Sequence, residues 1–236
     1  MPRTELNILD AIIGKYNSTI VFPNKFFVSW NSVVTLAYSG FSTSLLEIKA
    51  EIEQRIPELK PENPGSKWPK TTLGCLMDGE ILSSDEVDVL RNICNTYTSS
   101  LENTQITISH LDFVLFQCRT LEKRLLTHKF KLNEKPVEND SPPKWHKNQV
   151  KEVMDQFSER RKAVYYQRLS PEGRTLWSYY RKPHVEATLV ADIQFPAQIR
   201  KTIDNFRNDV NNNFKGKFGW FEPDSWHLTI RGLVFP

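Results

Sequence analysis

The order of hydrophobic patterns predicts an α+β protein of two similar halves, each a strand, a helix and a second strand, with a basic helical arm inserted between them. Three observations carry this. An apolar run, an amphipathic helix and a motif-bearing strand succeed one another over 33–76, and the same succession returns over 184–236. Between them the charge changes character: Arg119 to Lys182 holds sixteen Lys or Arg against eight Asp or Glu, in a chain whose formal net charge is only +3. The length fits one two-lobed domain or two small ones; as one domain over 1–236 the chain has a first half at 33–116, an arm at 120–183 and a second half at 184–236.

Leu6, Leu9, Ile12, Ile13 and Tyr16 recur at helical spacing after a cap at Thr4, so a short amphipathic helix opens the chain. "SVVTLAYSGF" is rich in β-branched and aromatic residues and reads as a strand. The helix after it carries Leu45, Ile48, Ile52 and Ile56 on one face, with a capping box of Ser44 and Glu47 and a stop at Pro57. A Pro-rich loop then leads to the strand "KTTLGCL". Ser83 and Glu86 form a second capping box before a helix that buries Val87, Leu90 and Cys94. The strand "QITISHLDFVLF" follows. In the arm, one helix runs from about 147 to 168, and another starts at Ser170 with Pro171 in its first turn. "HVEATLVADI" is a strand, and the helix after Pro196 buries Ile199, Ile203, Phe206 and Val210. The last strand is "SWHLTIRGLV".

Composition narrows the function classes. The hydrophobic content of 39% fits a folded soluble protein, no stretch is long enough to span a bilayer, and the first residues lack a signal-peptide pattern because Glu5 and Asp10 interrupt them. Cys75, Cys94 and Cys118 are odd in number and lack metal-ligand spacing, so they read as small buried hydrophobes in a reducing, cytoplasmic setting. The chain has no Gly-rich phosphate loop, Ser nucleophile elbow or Cys-x-x-Cys pair, which argues against nucleoside-triphosphate hydrolysis, α/β-hydrolase chemistry and zinc hydrolysis.

The two motif strands are alike in detail. Placing Thr35-Leu36 on Thr188-Leu189 superposes the two helices and brings Lys70 to within a four-residue loop difference of His227. "ATLVADIQFPAQIRKTIDNF" followed by "FGWFEPDSWHLTIRGL" resembles the two-histidine phosphoesterase superfamily, the group of RNA 2′,5′-ligase-like proteins and cyclic phosphodiesterases. That resemblance, over 33–116 and 184–236, implies two lobes about a pseudo-two-fold axis, each presenting a strand with His, a hydrophobic residue, Thr or Ser, and a hydrophobic residue. Here the second motif is His227, Leu228, Thr229, Ile230; the first is Lys70, Thr71, Thr72, Leu73, with Lys70 where a His is expected.

Strand alternation turns His227, Thr229 and Arg231 to one face, and Lys70 with Thr72 to one face of the other motif strand. One imidazole, one ammonium, two hydroxyls and a guanidinium suit a phosphate without calling for a cofactor or metal. The resemblance implies hydrolysis of a cyclic phosphate or a 2′-5′ linkage in a nucleotide or RNA end. His227 is then the base, Lys70 the acid or charge clamp, and Thr72, Thr229 and Arg231 hold the phosphate. Two other readings stay open: a catalytically silent relative that binds nucleotide or RNA, and a protein-interaction module in which His227 is a core residue. His110 reads as a packing residue, while His128, His146 and His184 serve the site only by reaching across the fold. In the arm, Arg168, Tyr179, Tyr180 and Arg181 are candidate RNA contacts, although helical spacing makes Leu176, Trp177 and Tyr180 read rather as an ordinary buried face.

Overall fold

A computed structural model describes residues 3–63, 67–134, 140–169 and 176–234. The described residues form a mixed α+β fold with seven α-helices and three antiparallel sheets. In chain order the elements are α1 (Arg3–Ile13), β1 (Thr19–Val21), β2 (Pro23–Val28), β3 (Val33–Tyr38), α2 (Thr43–Arg55), β4 (Lys70–Leu76), α3 (Ser84–Thr98), β5 (Ile106–Ile108), β6 (His110–Phe116), β7 (Arg124–Lys131), α4 (Lys144–Met154), α5 (Lys162–Arg168), α6 (Leu176–Arg181), β8 (Glu186–Asp192), α7 (Ala197–Asn213), β9 (Phe218–Trp220) and β10 (His227–Gly232). One four-stranded sheet has the order β2-β3-β4-β9, and the other β7-β6-β8-β10. β1 and β5 pair only with each other. No helix among the described residues is long and apolar enough to cross a membrane.

Each helix between two strands of one sheet packs on the other sheet. α2 lies between β3 and β4 in the chain, yet its buried Leu45, Ile48 and Ile52 join Leu189, Leu228 and Ile230 of β8 and β10 in one core, with Leu9, Ile12 and Ile13 of α1. α7 lies between β8 and β10, yet its Ile203 and Phe206 join Phe26, Leu36 and Leu73 of β2, β3 and β4, with Val87 and Leu90 of α3. Phe206 stacks on Phe26 at 4.2 Å between centroids. Full burial of each such side chain contributes about 1.5–3 kcal/mol, and both cores take their layers from sequence-distant parts. The run α1-β1-β2-β3-α2-β4 therefore matches α3-β5-β6-β8-α7-β10 in order and pairing.

Several local expectations hold and several do not. Ser83 and Glu86 form both hydrogen bonds of the capping box. At α2 the cap is Ser42, whose hydroxyl accepts from Leu45 N at 3.3 Å, so the Ser44–Glu47 box is displaced by two residues. α1 begins at Arg3, one residue ahead of the Thr4 cap. The strand predicted through 106–116 is interrupted at Ser109 and serves two sheets. The single helix predicted over 147–168 is α4, two short 3₁₀ turns at 155–157 and 159–161, and α5. The arm is not wholly helical: Arg124–Lys131 is the edge strand β7, paired with β6 from His110 to Phe116. The cap expected at Ser170 and Pro171 lies outside the described residues. Cys75, Cys94 and Cys118 are free thiols in the core.

Candidate active site

β4 and β10 lie side by side where the two sheets meet. Both carry a β-bulge at the same point. On β10 the register with β8 runs His227↔Asp192, Leu228↔Ala191, Thr229↔Val190, then skips Ile230 to Arg231↔Leu189. On β4 the register with β3 runs Lys70↔Ala37, Leu36↔Thr71, Thr35↔Thr72, then skips Leu73 to Gly74↔Val34. Lys70 thus corresponds to His227 and Thr72 to Thr229. Thr35 then corresponds to Val190, a shift of two residues from the sequence alignment of Thr35 with Thr188.

The bulge decides which side chains turn away from the helices. Lys70, Thr72, His227 and Thr229 are half-buried, while Thr71, Leu73, Leu228 and Ile230 are buried on the helix side. Because the bulge breaks the two-residue alternation, Arg231 turns to the helix side, against the expectation that it faces the cleft with His227 and Thr229. It is 3% exposed and donates to the carbonyls of Lys60 (2.9 Å) and Gly232 (3.3 Å). Lys49 of α2 donates to the Ile230 carbonyl and to Glu62, so the bulge on β10 is held from behind.

His227 Nδ1 lies 2.7 Å from the Ser225 carbonyl, which can only accept, so Nδ1 carries the proton and Nε2 is left with its lone pair. Burial lowers the imidazole pKa to about 4; the Ser225 bond opposes this, and the nearby charges of Arg124 and Lys70 add to it. The ring is therefore neutral at pH 7. The Lys70 ammonium lies over the Trp68 ring, 4.2 Å from its centroid. Burial and repulsion from Lys49 lower its pKa to about 8, with Glu62 opposing. The hydroxyls of Thr72 and Thr229 have no hydrogen-bond partner among the described residues, which leaves both able to donate to a ligand.

Sequence reasoning missed a second layer of the site. Asp192, opposite His227 in the ladder, accepts from both terminal nitrogens of Arg124 at 2.9 and 2.8 Å. Burial alone would push the Asp192 carboxyl up, but the bonds and charge of Arg124 outweigh it and hold it below the ordinary aspartate range. Asp112 of β6 is 1% exposed, and its Oδ1 has no hydrogen-bond donor. Burial, then the Asp192 charge, raises the Asp112 pKa above the ordinary aspartate value. His110 Nε2 lies 3.9 Å from Asp112 Oδ2. The charged residue ending the apolar run "TLVAD" was a legible signal for Asp192; Arg124 was hidden in a basic run read as arm.

The remaining candidates fall elsewhere. His184 pairs with Glu186 at 2.7 Å, His128 lies against Phe130, and His146 is buried flat on Phe41. Tyr180 is packed against Phe221, and Arg181 pairs with Glu122 and lies over Trp177, so both serve packing of α6 on the first sheet. Tyr179 stays exposed with Arg119 over its ring, and Arg168 is exposed on α5. Trp226, which precedes His227, lies in the core under Arg200 and Arg207. Compared with family models, with curated proteins and with solved structures, the chain matches none.

Proposed function

We propose that the protein is a phosphodiesterase of the two-histidine type, acting on a cyclic phosphate or 2′-5′ linkage of a nucleotide or RNA end, with Lys70 in the place of the first histidine. The observation that carries this reading is the pair of bulged strands, side by side, that leave Lys70 with Thr72 and His227 with Thr229 half-buried on the side away from the helices, with the Lys70 charge felt at His227. Two sheets that meet at those strands and exchange their helices support the two-lobed fold of that superfamily.

In this reading the Thr72 and Thr229 hydroxyls donate to the non-bridging phosphate oxygens, and Arg124, steered by Asp192, adds positive charge beside them. His227 Nε2 takes a proton from the attacking water as its oxygen bonds to phosphorus. The bond from phosphorus to one ribose oxygen breaks, and Lys70 gives that oxygen a proton, leaving a phosphate monoester and a free hydroxyl. The imidazolium then loses its proton to solvent and Lys70 regains one. A lysine with a pKa of about 8 is a better proton donor at pH 7 than one at the usual 10.4.

The test is hydrolysis of 2′,3′-cyclic nucleotides and cyclic-phosphate-ended oligonucleotides in chelator by the wild type, His227→Ala and Lys70→His. Turnover that His227→Ala removes supports the proposal. A silent wild type with an active Lys70→His variant would make the natural protein a binder of such ends. Silence from all three would sink the phosphoesterase assignment.

A further inference from the structure

We propose that the pocket between the β2–β3 turn and α5 is a second binding site, which takes an unpaired base and its phosphate from a single-stranded RNA whose end occupies the cleft. Trp30, Gln156, Arg161, Val164, Tyr165 and Arg168 line it. The identity of the occupied end rests on the phosphodiesterase reading; the pocket's chemistry does not.

Trp30 sits at the tip of a rigid turn. Ser32 has a φ of 62°, its N–H donates to Ser29 O at 2.6 Å, and the Ser29 N–H donates to Val33 O at 3.0 Å. The turn presents the indole 42% exposed. Tyr165 fixes the opposite wall, its hydroxyl shared between the carbonyls of Val28 (3.1 Å) and Ser29 (3.0 Å). Arg161 ends the 3₁₀ turn that leads into α5 and Arg168 is the last residue of α5, and both line the pocket with the exposed Val164. A flat indole, an adjacent amide and two guanidinium groups match a base face, a base edge and phosphate oxygens. Both arginines favour an anionic ligand, and the aromatic floor favours a base over a carboxylate chain.

The pocket also lies on the reactive side of the first sheet. Phe27, Thr35 and Thr72 form one row across β2, β3 and β4, and the arm covers that row where Phe157 packs on Phe27. Counting four residues from Ala37, opposite Lys70, to Val33, then the turn and two strand spacings, puts Trp30 roughly 20 Å from Lys70. A mononucleotide cannot bridge that span, so the pocket acts only on longer substrates.

The test uses an oligoribonucleotide of about ten nucleotides with a 3′-hydroxyl, which cannot react, and measures equilibrium binding against salt. Trp30→Ala should weaken binding about five-fold or more while Trp30→Phe retains it. Arg161→Gln with Arg168→Gln should lower the salt slope by about one. Hydrolysis of a cyclic mononucleotide should be unchanged in all of these variants. Equal affinity in wild type, Trp30→Ala and the double arginine variant overturns the inference and points to a protein ligand or none for the patch. A wild type that cleaves mononucleotides but does not bind the strand overturns it while leaving the phosphodiesterase reading intact. Trp30-dependent binding without hydrolysis of any substrate upholds the pocket and defeats that reading instead.

Discussion

The two proton-transfer groups predict an unusual pH–rate profile. His227 has a pKa of about 4 and Lys70 one of about 8 in the folded protein. A base must be neutral and an acid protonated, so kcat/KM rises through the first value and falls through the second. At pH 7 nearly all His227 is neutral and about nine-tenths of Lys70 is protonated; at pH 9 only about one-tenth of Lys70 is. The rate should thus fall about ten-fold between pH 7 and pH 9. A lysine at the usual 10.4 would lose almost nothing over that range, and a phosphodiester substrate has no proton to lose there. Lys70→His should move the falling limb down toward pH 6.5, and Lys70→Met should lack it and be slower by roughly 10²–10⁴. The assay is kcat/KM for a 2′,3′-cyclic nucleotide from pH 4 to 10 at fixed ionic strength. A wild-type profile flat to pH 10, or a falling limb that survives in Lys70→Met, would refute both the role of Lys70 and the burial argument for its pKa.

Burial disfavours the charged form of Asp112, so the neutral, isosteric Asp112→Asn should keep stability within about 1 kcal/mol by chemical denaturation while Asp112→Ala costs about 1–3. Its folded pKa is raised, so it contributes stability below the unfolded value that is lost as pH rises through the folded one, and the Asn variant should lack that slope. Arg231→Met should lower stability by about 2–4 kcal/mol, because two buried carbonyls lose a charged donor, with KM unchanged in the folded fraction; a rise in KM alone would return Arg231 to the phosphate. A Cβ at Gly74 would stand 2.3 Å from the Gly219 carbonyl oxygen, so Gly74→Ala should cost about 1–3 kcal/mol and lower Tm by several degrees, measured by thermal unfolding.

How much of this was legible depended on whether the signal was local. The helices around Ile48 and Phe206 and the Ser83 cap follow from periodicity and side-chain chemistry over a few residues, and the structure agrees with them. His227 with Thr229 and Lys70 with Thr72 follow from strand alternation, because both pairs precede the bulge. Arg231 does not, because a bulge is set by pairing with a strand some forty residues away and leaves no mark in the alternation itself. Arg124 and Asp192 meet only in three dimensions, 68 positions apart, and β7 is an exposed edge strand whose charges hide any apolar period. Tyr180 could be read as either packing or contact, and its burial against Phe221 depends on a loop that the sequence does not pair with it.

The exchange of helices between sheets has a kinetic consequence. Lys49 binds the backbone of Ile230, 181 positions later; α3 can cover part of the first sheet early, but α2 has no sheet to pack on until β8 and β10 have arrived. Loop closure over most of the chain must therefore precede the burial that rewards it, which makes folding slow for the size and leaves neither half an independent unit. Equilibrium unfolding of the two sheets should be a single event, so damage at either motif strand is felt by both.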